Sequence, residues 1–253
     1  MRTEEIITRL FCMVDDKLGH VKKRKDANLH PSEIVTIGML FSLKGVHFRP
    51  FYRWLKGDWQ PLFPTLPERS RLERLLVEYE PLSLNFLVEP QAESIIDSYG
   101  VELIHPIREG RSKAQIGEKG LSNHRWIVGV KLCWLVTPQG QVIDWGWESA
   151  EVHDQNFRDI GNAWSENSQI LSDNGFRLSG RNNAKWTICQ RGERNDRMVV
   201  ERVFSLITVV NHTKKLFHRT ERHLHARFGY LAAMFNCLFE LAGGKLAIAQ
   251  FSL

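Results

Sequence analysis

Residues 126–147 read WIVGVKLCWLVTPQGQVIDWGW, and this stretch decides which fold the chain can adopt. Two runs rich in β-branched and aromatic residues flank residues 137–140, where Pro138 and Gly140 are typical of a tight turn. Strand-forming runs on both sides of a short turn predict an antiparallel hairpin, because the turn lets the chain double back on itself. We therefore expect a β-sheet in the middle of the chain.

Further elements extend this sheet on both sides of the hairpin. Residues 92–99 form a β-type run that contains Asp97, and residues 168–172 form another that ends at Asp173 before an Asn-Gly turn. Between them, residues 149–157 resemble the start of a helix that ends near Trp164, with Asp154 or a polar neighbour as its cap. Strands alternating with helices in this way predict an α/β fold.

Helical patterns occupy both ends of the chain. Apolar residues recur at helical spacing in residues 3–11, 194–210 and 221–243, and residues 31–43 form a nearly all-apolar helix that begins with a proline. The change in texture near residue 90 predicts two domains. These are an all-helical region over residues 1–90 and a sheet-containing domain over residues 91–253.

The composition is that of an ordinary globular protein. Of the 253 residues, 43% are hydrophobic and 25% are charged, which excludes disordered and fibrous classes. The formal charge of +5 favours a polyanionic partner without requiring one. Four isolated cysteines, the lack of a secretory leader and the lack of a long apolar run lead us to expect buried thiols and a cytoplasmic protein with no membrane contact.

Three acidic residues stand in apolar surroundings: Asp97 after Ile-Ile, Asp173 after Ile-Leu-Ser, and Glu201 after Val-Val. A buried carboxylate is costly unless it is paired with a cation or bound to a metal. Each residue alone has an ordinary explanation, because Asp is common at strand ends and Glu is a good helix former. Their order along strand, hairpin, helix, strand and helix is what indicates a joint function.

Carboxylates from two strands and a facing helix provide the hard oxygen ligands that two divalent cations need. Arg197 precedes Glu201 by four residues, so both lie on one helix face. Its guanidinium could grip a DNA phosphate beside the ions, or it could form an intrahelical ion pair with Glu201.

Basic residues are interleaved with aromatics in several places, which suits contacts with phosphates and bases. Lys22–Lys25 is the densest basic cluster, although a solvated helix face explains it equally well. The full set of expected DNA contacts is Arg197, Arg194, Lys22, Lys23, Arg24, Lys25, Arg111, Lys113, Lys119, Lys214 and Lys215.

The contexts of Asp97, Asp173 and Glu201, together with the hairpin and the basic residues 111–119, resemble a DDE transposase of bacterial insertion sequences. The resemblance covers roughly residues 90–240. It implies an RNase H-like mixed sheet flanked by helices, with Asp97 on the first strand, Asp173 ending the fourth and Glu201 on the following helix. It also implies Mg²⁺ or Mn²⁺, two ions in all, bound by these three catalytic residues.

The same resemblance implies partners and a reaction. The partners are double-stranded DNA, as terminal inverted repeats and target, and a second copy of the chain in a homodimer on paired ends. The reaction is phosphodiester hydrolysis at the ends of the element followed by strand transfer. Two alternatives stay open, namely an RNase H-like nuclease or resolvase without strand transfer, and an inactive DNA-binding derivative.

The sequence departs from the family pattern around Glu201. The usual tyrosine is replaced by Arg194 and the usual lysine by Thr208, and the separation of 28 positions from Asp173 to Glu201 excludes a large insertion domain. His153-Asp154 resembles a family pair for which we expect capping rather than catalysis. Trp145 and Trp147 are expected to pack in the core, with stacking on a flipped base as the alternative.

Overall fold

The computed structural model describes residues 1–122, 125–177, 185–189, 197–251 and 253. The first four helices precede the sheet: α1 (Thr3–Leu18), α2 (Pro31–Lys44), α3 (Phe48–Asp58) and α4 (Arg69–Glu78). All residues of α2 except Glu33 and Lys44 are buried, as expected for a helix that is apolar all round. The Glu33 carboxylate accepts the backbone N–H of His30 at 2.6 Å, which closes the N-terminus of this helix.

A mixed sheet follows the helices. Its strands are β1 (Glu93–Ile104), β2 (Lys119–Ser122), β3 (Arg125–Val136), β4 (Val142–Ser149), β5 (Gln169–Ser172) and β6 (Trp186–Ile188). Among the described residues these six strands form one sheet in the order β2-β3-β1-β5-β6, and β4 also pairs with β3. β1, β2, β3 and β4 pair antiparallel, whereas β5 is parallel to β1 and to β6. The chain is thus an α/β protein, as predicted.

The predicted hairpin is confirmed as β3 and β4. The backbone N–H of Thr137 donates to the carbonyl of Gln141, and that of Gly140 donates to the carbonyl of Thr137, each at 2.8 Å. Gly140 has a φ of 97°, a conformation that a residue with a side chain rarely adopts. The expectation of core packing also holds for Trp145, which is buried and contacts the ring of His225 at a centroid distance of 4.8 Å.

Helices cover both faces of the sheet. Side chains of alternate residues point to opposite faces, so Ile95, Tyr99 and Val101 join one apolar cluster while Ile96 joins another. The first face is covered by α6 (Met198–Asn211) and α7 (Glu221–Leu241), and the second by α5 (Arg158–Trp164). The first cluster continues without a break into the N-terminal helices.

Buried polar groups join these layers. The Asn236 amide of α7 accepts the Val142 N–H at 2.7 Å and donates to the carbonyls of Val142 and Phe86 at 2.8 and 2.9 Å. It therefore provides hydrogen-bond partners for the backbone N–H and carbonyl of Val142 at the start of β4, as a neighbouring strand would. On β1, the buried Glu102 is paired with Lys215 at 2.8 Å and with Arg125, and these cations lower its pKa although burial alone would raise it.

Some expectations about detail are wrong. Cys12 is exposed rather than buried, although Cys133, Cys189 and Cys237 are buried as predicted. The helix expected from residue 194 begins at Met198 among the described residues, and Arg194 itself lies outside them.

Within the described ranges, no helix combines the length and the apolar character needed to cross a membrane.

Replacing Asn236 with alanine should destabilise the protein by about 2–4 kcal/mol. The reason is that the Phe86 carbonyl and the Val142 N–H lose the Asn236 side chain as a partner, and the Val142 carbonyl keeps only the Val88 N–H at 3.2 Å. Urea unfolding followed by circular dichroism measures the change. Asn85→Ala is the matched control, because the exposed Asn85 makes a single bond to the Leu82 carbonyl and its loss should cost under about 0.5 kcal/mol.

Candidate functional site

The pairing of β1 with β5 brings two of the predicted acidic residues to the same level of the sheet. These strands are parallel, with Ile95 opposite Leu171. Asp97 and Asp173 each follow their paired residue by two positions, so they extend from neighbouring strands at equal height, and adjacent strands lie about 4.8 Å apart. Asp173 raises the pKa of Asp97, which places the two carboxylates within electrostatic reach of each other.

Glu201, the third acidic residue, lies on α6 near the two aspartates. Tyr99, two residues after Asp97 on the same face of β1, stacks on Phe204 at a centroid distance of 5.2 Å. Phe204 lies about one helical turn after Glu201, so this stacking holds the first turn of α6 above the strand that carries Asp97. The helix therefore begins beside the two aspartates.

Arg197 joins these groups. Its Nη1 lies 3.3 Å from Oδ2 of Asp173, and its Nη2 lies 2.6 Å from Oε1 of Glu201. Only a quarter of this side chain is exposed. Burial opposes its charge, yet the hydrogen bond that it donates to Glu201 and the charges of Asp97, Asp173 and Glu201 raise its pKa overall. The ion pair that was one of two alternatives for Arg197 is thus formed, and it includes Asp173 as well.

Asp97 is the electrostatically strained member of the group. Burial, followed by repulsion from Asp173, raises its pKa from 3.8 to about 7, even though Arg197 and the Ser98 N–H at 2.7 Å favour the ionised form. A carboxylate that is this poorly compensated is a site where added positive charge would be stabilising.

A fourth acidic residue lies beside the aspartates. The Asp154 carboxylate accepts the hydroxyl of Ser98 at 2.8 Å and pairs with the ammonium of Lys131 at 3.0 Å. The expected capping role is therefore wrong, because the side chain is engaged by β1 and β3 and α5 begins only at Arg158. Sequence reasoning noticed Asp154 but had no means to place it beside Ser98, which is 56 residues away.

Gly175 lies close to the carboxylates of both Asp154 and Asp173. A Cβ at this position would lie 2.9 Å from Oδ2 of Asp154 and 3.0 Å from Oδ1 of Asp173. The Gly175 N–H also donates to Oδ1 of Asp173 at 2.8 Å. The Asn-Gly turn predicted after β5 therefore lets two carboxylates approach a backbone that has no side chain.

The site has carboxylate oxygens of the kind that bind a hard divalent cation, but these oxygens are not grouped around one point. In the described part of the chain, no three or more Asp, Glu, His or Cys side chains are grouped so that they could bind one metal ion. Asp173 and Glu201 are instead held by Arg197. Their all-oxygen chemistry and the raised pKa of Asp97 fit Mg²⁺ or Mn²⁺, and binding would require Glu201 to turn away from Arg197.

Of the basic residues predicted to bind DNA, Arg197 is the one that contacts these carboxylates within the described ranges. Arg24 is paired with Glu78, Lys119 with Glu109 and Lys215 with Glu102. Arg194 lies outside the described residues, and the other members have exposed side chains on the surface: Lys22, Lys23, Lys25, Arg111, Lys113 and Lys214.

Comparison of the chain with protein-family models, with curated proteins and with solved structures finds no match.

Replacing Asp97 with asparagine should stabilise the metal-free protein at pH 8 by about 1–3 kcal/mol. The native pKa is near 7 and the unfolded pKa near 3.8, so the native state binds more protons between these values. The stability that this group contributes is complete below pH 4 and is lost as the pH rises through 7. Urea unfolding at pH 5 and pH 8, with a chelator present, measures the difference.

Asp15→Asn on α1 is the matched control for this experiment, because Asp15 is exposed and its replacement should change stability by less than about 0.5 kcal/mol at either pH. A difference between wild type and Asp97→Asn that does not grow with pH would contradict the raised pKa.

Proposed function

We propose that this protein is a metal-dependent DNA transposase whose sheet domain has the RNase H-like arrangement. The observation that carries the proposal is that Arg197 pairs with both Asp173 and Glu201, while Asp97 on the neighbouring strand lies close enough for its charge to act on Arg197 and on Asp173. Acidic residues from β1, β5 and α6 that lie this close together are typical of a functional site.

The connectivity of the sheet supports the proposal. The resemblance implies a mixed sheet flanked by helices. Leaving out the short β2, the strand order here is β4-β3-β1-β5-β6, in which β1, β3 and β4 pair antiparallel and β5 is parallel to β1 and to β6. Asp97 then lies on the first strand and Asp173 at the end of the fourth, as the family resemblance implies.

Each residue of the site has a role in this reaction. Asp97, Asp173 and Glu201 would hold Mg²⁺ or Mn²⁺, and such ions, when bound, would activate a water or a 3′ hydroxyl and stabilise the leaving oxygen. Arg197, once released by Glu201, presents a planar fork of donors to the phosphate that is cut. Asp154 positions β1 through the hydroxyl of Ser98 and is itself held by Lys131 of β3.

The proposed substrate is double-stranded DNA, first at the terminal inverted repeats and then at the target. Exposed basic residues contact its phosphates and fix its register without reading sequence. Strand transfer joins both ends of one element to the target DNA, so the working form is a homodimer on paired ends. These assignments follow from the resemblance and from the surface exposure of the basic residues.

The test uses purified protein with duplexes that carry the inverted repeats found beside the gene, some intact and some already cut. Mn²⁺ or Mg²⁺ should support both cleavage and joining. Asp97→Asn, Asp173→Asn and Glu201→Gln should each lower both rates by about 10²–10³-fold or more, because each removes a charge that binds the ions. Product lengths on denaturing gels measure the two steps separately.

Asp159→Asn is the matched control, since Asp159 is an exposed carboxylate on α5 and its loss should leave both rates unchanged. Cleavage without joined product from pre-cut ends would replace the proposal with a nuclease or resolvase. DNA binding that is unaffected by Asp97→Asn, with no metal-dependent cleavage in the wild type, would identify an inactive DNA-binding derivative.

A further inference from the structure

A cavity of about 700 Å³ lies between the N-terminal helices and the segment over residues 212–220, which joins α6 to α7. Its volume is within the roughly 300–1,000 Å³ typical of ligand pockets. Asp97, Asp173, Glu201 and Arg197 do not line it. The cavity is therefore separate from the carboxylate site.

Three helices begin at this cavity. The first residues of α3 and α4, and the residue before α7, belong to its lining: Phe48, Arg69 and Thr220. None of the three N-termini has a side-chain capping hydrogen bond. The first turn of a helix leaves backbone N–H groups unpaired and carries partial positive charge, so these ends favour an anion.

Most charged side chains in the lining are positive. Among the described residues that line the cavity, five are Lys or Arg and one, Glu73, is a carboxylate. Arg49, Arg69 and Arg219 are exposed and form no ion pair with any described residue. Their charge is therefore available to a ligand.

A buried arginine completes the lining. Arg227 is 2% exposed, its Nη1 donates to the carbonyl of Phe41 at 2.5 Å, and its Nε has no partner. Its guanidinium donates to carbonyls in the last turn of α2. No carboxylate in the described ranges forms an ion pair with it. Burial lowers its pKa to about 9, and burial together with the Arg227 charge lowers the pKa of the neighbouring His218 to about 3. The unpaired Nε and the effect of the Arg227 charge on His218 indicate a buried cation that lacks its counter-charge.

An aromatic surface borders these cations. The ring of Phe217 is 54% exposed and stacks on His47 at a centroid distance of 4.4 Å, and the ammonium of Lys215 lies 5.8 Å from the Phe217 ring. An exposed ring beside cations provides a face on which a nucleobase can stack while its phosphate is neutralised. Phosphate alone would leave this ring without a role.

We propose that the cavity binds one nucleotide unit of a DNA strand, with the phosphate at the helix N-termini and arginines and the base on Phe217. This site goes beyond the carboxylate chemistry proposed above and does not depend on it. A free mononucleotide carries the same phosphate and base as one unit of a DNA strand. The experiment below therefore compares these two ligands directly. The DNA strand is favoured because the cavity opens among exposed arginines, which suit a phosphate chain that continues beyond it.

The test is calorimetric titration of the full-length protein, with a chelator present, by three probes: inorganic phosphate, dTMP and the single-stranded tetranucleotide of thymidine. The tetranucleotide should bind at least tenfold more tightly than the other two. Phe217→Leu and Arg219→Gln should each weaken it by roughly tenfold, because one removes the stacking face and the other a phosphate contact. Both side chains are exposed, so the variants should fold, and thermal unfolding checks this.

Arg222→Gln is the matched control, since Arg222 is exposed in the first turn of α7 and does not line the cavity. It should weaken the tetranucleotide less than twofold. Asp97→Asn should leave binding unchanged, so loss of the cleavage reaction and loss of this site are distinguishable. Equal affinity for dTMP and the tetranucleotide would overturn the DNA source, and equal affinity for phosphate, or binding insensitive to Phe217→Leu, would overturn the site itself.

Discussion

The burial of the Asp97 carboxylate beside a second carboxylate, that of Asp173, is the constraint on which the rest of this site depends. The parallel pairing of β1 with β5 puts Asp97 and Asp173 at the same height, and α6 adds Glu201. Arg197 bonds to Asp173 and Glu201, yet the pKa of Asp97 remains near 7. The fold tolerates this charge because the apolar clusters on both faces of the sheet hold the strands and α6 in place. Such local instability is typical of sites that bind a cation or a polar substrate.

The helical region and the sheet are joined by buried polar contacts as well as by apolar packing. Asn236 of α7 bonds to Val142 at the start of β4 and to Phe86 ahead of β1, and Arg227 of the same helix closes the end of α2. Glu102 ties β1 to the segment between α6 and α7 through Lys215. The segment that borders the cavity is thus attached to the strand that carries Asp97, so DNA bound at the two places would contact one connected framework.

How much of the site was predictable depends on sequence separation. The pair Arg197 and Glu201 follows from i,i+4 spacing alone, because helix geometry puts such residues on one face. Asp97 and Asp173 were identified from apolar neighbours, but their equal height depends on the register of Ile95 with Leu171, which is a long-range pairing. Asp154 was assigned to a cap, whereas Ser98 and Lys131 hold it. The cavity was missed, since Phe217, Arg227 and the starts of α3 and α4 come from distant parts of the chain.

By itself the sequence determined the local elements: the β3–β4 hairpin, from its turn residues and β-branched runs; the buried α2, from its unbroken apolar run; and the candidate acidic residues, from their apolar settings. These depend on interactions between residues close in the chain. Only the tertiary structure decided which strands are neighbours, that Arg197 reaches Asp173 as well as Glu201, and that three helices begin at one cavity. Such facts depend on register and on packing between distant segments, which local patterns do not specify.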